Sequence, residues 1–435
     1  MNFKIHRGAH EIGGSCVEVW NKKSRIVIDI GMPLVKEGGG RFNFKDYEGL
    51  SGPELIKKKI LPDISGFYDW DTDNKIIDGM LISHPHIDHY GFFRYLHKNI
   101  CFYLGEAAKK LIDLTVLFTP IEGMVHNYCP IESGKSFYCG DFKITPYLMD
   151  HSAFDAYAFL IEADGKKLIY SGDFREHGRK EKAFQWFLNN APKYVDALLL
   201  EGTMFGRHAE GFKTEKDIED ETVKISNDSK NIMLLCFSSQ NIDRLISLYR
   251  ASLRTKRIFV IDVYTANILD CLKDFAAIPY PTDNYKNIRV FFPYWLCKRI
   301  SSQGNKKLMY KFKKYKITRD EISQKRDKIM IMVRSSMLTD LKRINGLENA
   351  DFIYSMWEGY LKDSSMKKLL DFTKSKNMKF QSIHTSGHAH ISTLKKVVNR
   401  LKPKEIIPIH TFYPEEYKAV GDNIHQIADG EIYKL

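Results

Sequence analysis

Along roughly the first two hundred residues, short apolar runs rich in β-branched residues are separated by Gly, Asp and Pro: SCVEVW, RIVIDIG, GMLISH, FKITPYL, AYAFLIEA, KKLIYSGD and ALLLEGT. Runs of this length, bounded by turn formers, predict strands. Helical stretches are expected between some of them, over 105–117 and 181–190, so the class is mixed α and β. From about residue 230 one pattern occurs three times, in NIMLLCFSSQNIDRLISLY, RIFVIDVYTANILDCL and KIMIMVRSSMLTDLKRI. Each copy is an apolar strand, a short Ser/Thr-bearing turn and a helical period, which predicts a parallel sheet with covering helices. After about 375 the first texture returns in KFQSIHTSGHAH, a helix over 393–401 and the strand EIIPIH. A second domain over 206–375 is therefore expected to be inserted into a first domain made of 1–205 and 376–435.

Composition narrows the class of molecule. With 435 residues, 43% hydrophobic and 28% charged, the chain can bury a large core, and disorder is excluded as its main character. Lys and Arg exceed Asp and Glu by 66 to 54, a formal net charge of +12. That suits a polyanionic partner as well as it suits a solvated basic surface. In CKRISSQGNKKLMYKFKKYKITRDEISQKRDK the basic residues alternate with Tyr310, Phe312 and Tyr315. The segment reads either as a phosphate-tracking, base-stacking surface or as a solvated helix with a core-facing aromatic stripe. The seven cysteines (16, 101, 129, 139, 236, 271 and 297) never form a C-x-x-C pair and are expected to be reduced thiols. No signal-peptide core and no bilayer-length apolar run is present, so a cytoplasmic protein without a membrane partner is expected.

The densest chemistry lies in LISHPHIDHYGFFRYL, where His84, His86, Asp88 and His89 fall within six positions after an apolar run. If the strand continues through this stretch, His84 and His86 project to one side, and Asp88 and His89 fall on the following turn. Imidazole and carboxylate together suit zinc, and this arrangement serves two ions better than one.

The spacing H-x-H-x-D-H, preceded by GMLIS and followed by Gly91, resembles the signature of the metallo-β-lactamase fold. The resemblance implies further ligands at His151 of YLMDHSAFDAYAF and Asp173 of LIYSGDFRE. It also implies that Asp29 of RIVIDIG orients histidine ligands by accepting their other N–H. Beyond the superfamily, Glu201 of ALLLEGT, His388 of HTSGHAH and His410 of IIPIHTF look like the three added motifs of the β-CASP nucleases, with the insert between the first and second. The pattern resembles ribonuclease J and the cleavage-factor endonucleases of pre-mRNA 3′ ends. The implied fold is an αββα sandwich carrying an inserted α/β β-CASP domain. The RNA-cleaving members have histidine at the third motif, where DNA-repair members generally have valine, so His410 favours RNA.

The resemblance implies two Zn2+ per chain, with Mn2+ as the alternative. His84, His86 and His151 would hold one ion, Asp88, His89 and His410 the other, and Asp173 would bridge them. Asp88, His388 and Glu201 form the expected catalytic group, His388 protonating the leaving oxygen and Glu201 positioning it. Ser238, Ser239, His384, Ser386 and Gly387, in turns before helices, are the expected phosphate contacts. His6, His10, His126, His177 and His208 read as loop or surface residues. The expected activity is cleavage of single-stranded RNA to 5′-phosphate and 3′-hydroxyl products, from the 5′ end, internally, or both. The alternatives are a DNA exonuclease or defence nuclease with the same machinery, and a non-catalytic nucleic-acid-binding scaffold. Oligomeric state is left open.

Overall fold

A computed structural model describes all residues except 37, 73–76 and 208–213. His208 lies outside the described residues. The chain forms two compact units, one made of Met1–Val116, Pro120–Ala209 and Gly387–Leu435, the other of Leu117–Thr119 and Glu210–Ser386.

The first unit contains two sheets. In the seven-stranded sheet the order is Ile432–Lys434, Asn2–Arg7, Cys16–Trp20, Arg25–Ile28, Gly79–Leu81, Cys101–Leu104 and Asn127–Pro130. In the six-stranded sheet it is Glu405–Ile409, Ala197–Glu201, Lys166–Tyr170, Ala156–Ala163, Phe142–Met149 and Phe137–Cys139. Alternate residues of both sheets, among them Phe3, Val17, Ile26, Phe142, Phe159, Leu199 and Ile407, interdigitate in a shared core. The outer face of the second sheet is covered by helices Glu181–Asn190 and Ile391–Leu401, through Phe184, Phe187, Leu394 and Val397. The first sheet's outer face is covered by Leu55, Phe67, Phe92 and Ile112. These layers make the αββα sandwich of the metallo-β-lactamase fold.

The second unit is built on a six-stranded parallel sheet, ordered Ile288–Phe291, Ile258–Asp262, Ile329–Val333, Met233–Cys236, Asp351–Tyr354 and Lys379–Ser382. Apart from Ile258, its central strands are buried along their length, as expected for a parallel sheet covered by helices. Of the three interleaved aromatics only Phe312 is buried, at 2% exposure, while Tyr310 is 64% exposed and Tyr315 is half-buried. The reading of a common core-facing aromatic stripe is corrected accordingly.

Three other expectations change. The strand GMLIS ends at Leu81, because Pro85 has no N–H to donate to a ladder, and His84 and His86 stand on the loop that follows. Cys101 and Cys129 are joined by a disulfide, their Cα atoms 6.3 Å apart. They sit on neighbouring parallel strands separated by 28 residues, a proximity that spacing alone does not reveal. The other five cysteines are thiols. Of the histidines read as loop or surface, His6 lies in strand Asn2–Arg7 with Nε2 2.6 Å from Glu18 Oε2, and His177 is buried with its ring 4.6 Å from that of His390. No described helix is long and apolar enough to cross a membrane.

Candidate metal centre

The expected ligands follow the carboxyl ends of strands in the first unit. Gly79–Leu81 leads to His84 and His86, Phe142–Met149 to His151, Lys166–Tyr170 to Asp173, and Glu405–Ile409 to His410. Asp88 and His89 occupy the short helix Ile87–Tyr90. Gly31 permits its placement, since a Cβ there would lie 1.6 Å from the Asp88 carbonyl oxygen. Asp29 and His410 both hold positive φ, 58° and 55°. Such conformations cost non-glycine residues energy and gather at functional sites.

Two clusters result, His84 with His86 and His151, and Asp88 with His89, Asp173 and His410, each with ligand atoms within 4.8 Å of one another. In the first cluster, His86 Nδ1 is 3.2 Å from His84 Nε2 and 3.2 Å from His151 Nε2. A tetrahedral zinc with bonds of about 2.0–2.1 Å sets its nitrogens about 3.3–3.4 Å apart, so the donor spacing fits such an ion. In the second, Asp173 Oδ2 lies 3.2 Å from His89 Nε2, 3.6 Å from His410 Nε2 and 3.8 Å from His84 Nε2. Among the described residues, neither Nε2 of His89 nor that of His410 has a hydrogen-bond partner, although both are buried. Buried polar atoms left in this way are expected where a cation completes the site.

The opposite ring nitrogens are anchored. His151 Nδ1 lies 2.6 Å from the Gly387 carbonyl, which can only accept, so Nδ1 carries the proton and Nε2 keeps its lone pair for the cluster. A Cβ on Gly387 would stand 2.7 Å from Ser152 Oγ, so the glycine lets its backbone come this close. His89 Nδ1 is 2.8 Å from Asp29 Oδ2. Asp29 also accepts from the Ser83 amide at 2.8 Å, the Ser83 hydroxyl at 2.7 Å and the Tyr170 hydroxyl at 2.8 Å. Ser83 Oγ is 3.0 Å from His84 Nδ1, and Ser15 Oγ is 2.9 Å from His410 Nδ1. Ser15, Ser83 and Tyr170 are site residues that sequence reasoning missed. Ser83 directly precedes His84, and Tyr170 precedes the SGD turn, but Ser and Tyr at strand ends are too common to be singled out.

Burial holds His84 and His151 well below the ordinary imidazole value and brings His86 down to about 4, keeping the first cluster neutral and able to coordinate. Burial likewise lowers His410. His89 goes the other way, because Asp173 and Asp29 overcome the effect of burial. For Asp173 burial opposes ionisation, but His410, His89 and His388 hold its carboxyl well below the usual range. Asp29→Ala should weaken metal affinity about 10–100-fold, as expected for loss of a ligand's hydrogen-bond acceptor. Chelator competition checks this, and an unchanged affinity would remove Asp29 from the site.

Beside the clusters, His388 Nδ1 is 3.7 Å from Glu201 Oε2 and 3.7 Å from Asp173 Oδ2. Glu201 is buried at the end of strand Ala197–Glu201, accepting from Thr203 N–H at 2.9 Å and Ala389 N–H at 3.0 Å. It is therefore tied to the backbone next to His388. Of the expected phosphate contacts, Gly387 belongs to this unit, whereas Ser238, Ser239, His384 and Ser386 belong to the second. There Ser238 is exposed. Ser239 is buried, its hydroxyl 2.6 Å from Thr265 Oγ1 and accepting from Arg334 at 2.6 Å. His384 Nδ1 lies 3.3 Å from Arg244.

Residues 70–224 match the family described as the beta-lactamase superfamily domain, and residues 374–417 the Zn-dependent metallo-hydrolase RNA specificity domain. Ribonuclease J of Helicobacter pylori is 25% identical over 427 residues, covering 93% of this chain and 55% of that protein. Ribonuclease J of Mycoplasma pneumoniae is 22% identical, covering 98% of this chain and 72% of that protein. The chain thus spans about half the length of the first of these relatives. A crystal structure of a protein of unknown function from Enterococcus faecalis V583 shares the fold, with a TM-score of 0.78 at 20% identity over 100% of this chain and 99% of that one. The two matched segments, the sandwich with its inserted parallel sheet and the paired ligand clusters converge: the chain is a metallo-β-lactamase-fold protein with a β-CASP domain, homologous to the ribonuclease J family.

Proposed function

We propose that the chain is a dinuclear-zinc phosphodiesterase that cleaves single-stranded RNA to 5′-phosphate and 3′-hydroxyl products, acting from the 5′ end. The observation that carries the reading is the crowding of three histidine Nε2 atoms and the His388 ring within 3.2–3.8 Å of one carboxylate oxygen, Asp173 Oδ2. A carboxylate so surrounded is suited to bridge two ions. In this reading His84, His86 and His151 would hold one zinc, Asp88, His89 and His410 the other, and Asp173 would serve both. When bound, two zinc ions supply Lewis-acid charge for the phosphate oxygens and a water-derived nucleophile at neutral pH.

The chain's own residues do the rest. Asp29, through His89, fixes which nitrogen faces the metals. His388 holds a proton close to the reacting phosphate, since Glu201 and Asp173 raise its proton affinity above that of an ordinary imidazole despite the opposing effect of burial. It gives that proton to the departing 3′ oxygen, a step typically worth ~10²–10⁴ in rate. Glu201 is a positioning residue, gripping the amides of Thr203 and Ala389.

RNA is favoured because His410 stands at the third motif and because the match over 374–417 is to an RNA specificity domain. The relatives named ribonuclease J point the same way. Attack from the 5′ end rests on the hydroxyl-bearing turn HTSGHAH, in which Ser386 adjoins the glycine whose carbonyl holds His151. A circular RNA should therefore be degraded far more slowly than the linear RNA of the same sequence, and single-stranded DNA more slowly than RNA at matched salt. Equal decay of circle and line would overturn the 5′-end mode. Faster decay of DNA would overturn the choice of substrate in favour of a DNA nuclease.

A further inference from the structure

The basic segment with interleaved aromatics has a structural counterpart in the second unit, a cavity of about 720 Å³. It opens where strand Ile288–Phe291 passes into helix Tyr294–Ser302 and where helix Leu338–Leu341 follows strand Ile329–Val333. Both places are carboxyl ends of parallel strands, the end at which open α/β sheets receive ligands. Its size lies within the range of small-molecule sites.

The walls combine two chemistries. Phe292 and Tyr294 supply aromatic faces, and Lys298, Lys316 and Arg319 supply three cations against the single carboxylate of Asp340. Cations and rings alternate in space: the Lys316 ammonium is 5.9 Å from the Phe292 ring centre and that of Lys298 is 5.2 Å from Trp295, whose ring centre is 5.1 Å from Tyr294. Asp340 is buried and accepts from the Tyr294 amide at 3.1 Å, with its other oxygen 3.7 Å from Arg319, so it fixes the ring wall relative to the charged rim. Tyr294 and Trp295 are 51% and 53% exposed. Two large adjacent aromatics left in water beside a cationic cavity are not explained by packing.

We propose that this cavity is a nucleotide-binding site, with the base on Phe292 and Tyr294 and the phosphate on Lys298, Lys316 and Arg319. The nucleotide arrives free or as one unit of a single strand, since both present the same flat base and anionic phosphate. The site uses none of the candidate metal ligands and neither His388 nor Glu201, so RNA hydrolysis can fail its test while nucleotide binding passes.

The test is titration calorimetry of the full chain with AMP, UMP and inorganic phosphate, and fluorescence anisotropy with a labelled phosphorothioate RNA octamer. The wild type is compared with a Tyr294→Ala, Lys298→Ala double variant and with Tyr294→Phe. Both substituted side chains are exposed, so the fold should survive, and circular dichroism checks that it does. The double variant should bind AMP or the octamer roughly tenfold or more weakly, Tyr294→Phe should bind nearly as the wild type does, and inorganic phosphate should bind more weakly than AMP. Saturable AMP binding lost in the double variant identifies a free-nucleotide site. Octamer binding lost without AMP binding identifies a strand contact. The proposal is overturned if the double variant binds both probes as the wild type does, if neither probe binds the wild type, or if phosphate binds as tightly as AMP.

Discussion

His388→Ala should keep its metals and lose ~10²–10⁴ of its turnover on RNA. The side chain stands beside the ligand clusters but belongs to neither, so its removal leaves the donor set whole. In the proposed mechanism what is lost is the proton for the departing 3′ oxygen. A p-nitrophenyl phosphodiester, whose leaving oxygen needs no proton, should therefore be much less affected than RNA. The comparison separates acid catalysis from placement. If both substrates lose the same factor with metal content unchanged, His388 only positions the phosphate.

The largest effect on stability is expected in the second unit, at Arg244. This guanidinium is fully buried, with Nε and Nη2 each donating to Glu215 at 3.1 Å, and Nη1 donating to the Ser355 carbonyl at 2.9 Å and its hydroxyl at 2.5 Å. Nη2 reaches the Thr385 carbonyl at 3.3 Å, so one side chain joins helix Ile242–Arg254 to the loops after two strands. Arg244→Met removes the cation and leaves Glu215, itself buried, without it, which should cost about 3–5 kcal/mol. Replacing Glu215 by Gln in the same chain should restore part of the loss, because the stranded charge is then gone. Chemical unfolding followed by circular dichroism measures both. A single variant within about 1 kcal/mol of the wild type would mean that the pair contributes little.

Much of the fold could be read from side-chain period. The helix expected over 181–190 is Glu181–Asn190, and the three strand-turn-helix copies yield Met233–Cys236, Ile258–Asp262 and Ile329–Val333 of the parallel sheet. These elements carry long apolar runs or a clear amphipathic stripe. Strand Asn2–Arg7 was not read, because two apolar positions, Phe3 and Ile5, are too short an alternation to stand out and its partners include Ile432–Lys434 at the far end of the chain. Strand Cys101–Leu104 and its disulfide partner Cys129 were hidden for a related reason, since four-residue strands give almost no periodic signal.

At the site, the candidate ligands His84, His86, Asp88 and His89 were legible because His and Asp in tight spacing after an apolar run have few structural uses, while His151, Asp173 and His410 were visible through the family pattern. The groups that aim those ligands were not. Ser15 reaches His410, and Ser83 and Tyr170 reach Asp29, through contacts made only when strands distant in sequence come together. Asp29 was the exception, being visible through the family pattern. The sequence also suggested that His84 and His86 share a side because they continue a strand. They do converge, but from the loop that Pro85 forces.

The central claim is that one carboxylate, Asp173, joins two metal sites. Elemental analysis of the purified wild type and of Asp173→Ala tests it most directly. The wild type should carry close to two zinc ions per chain and the variant well under one, because in the proposed arrangement both ions would lose the oxygen that Asp173 lends them. One tightly bound metal in the wild type, undiminished in Asp173→Ala, would contradict the account.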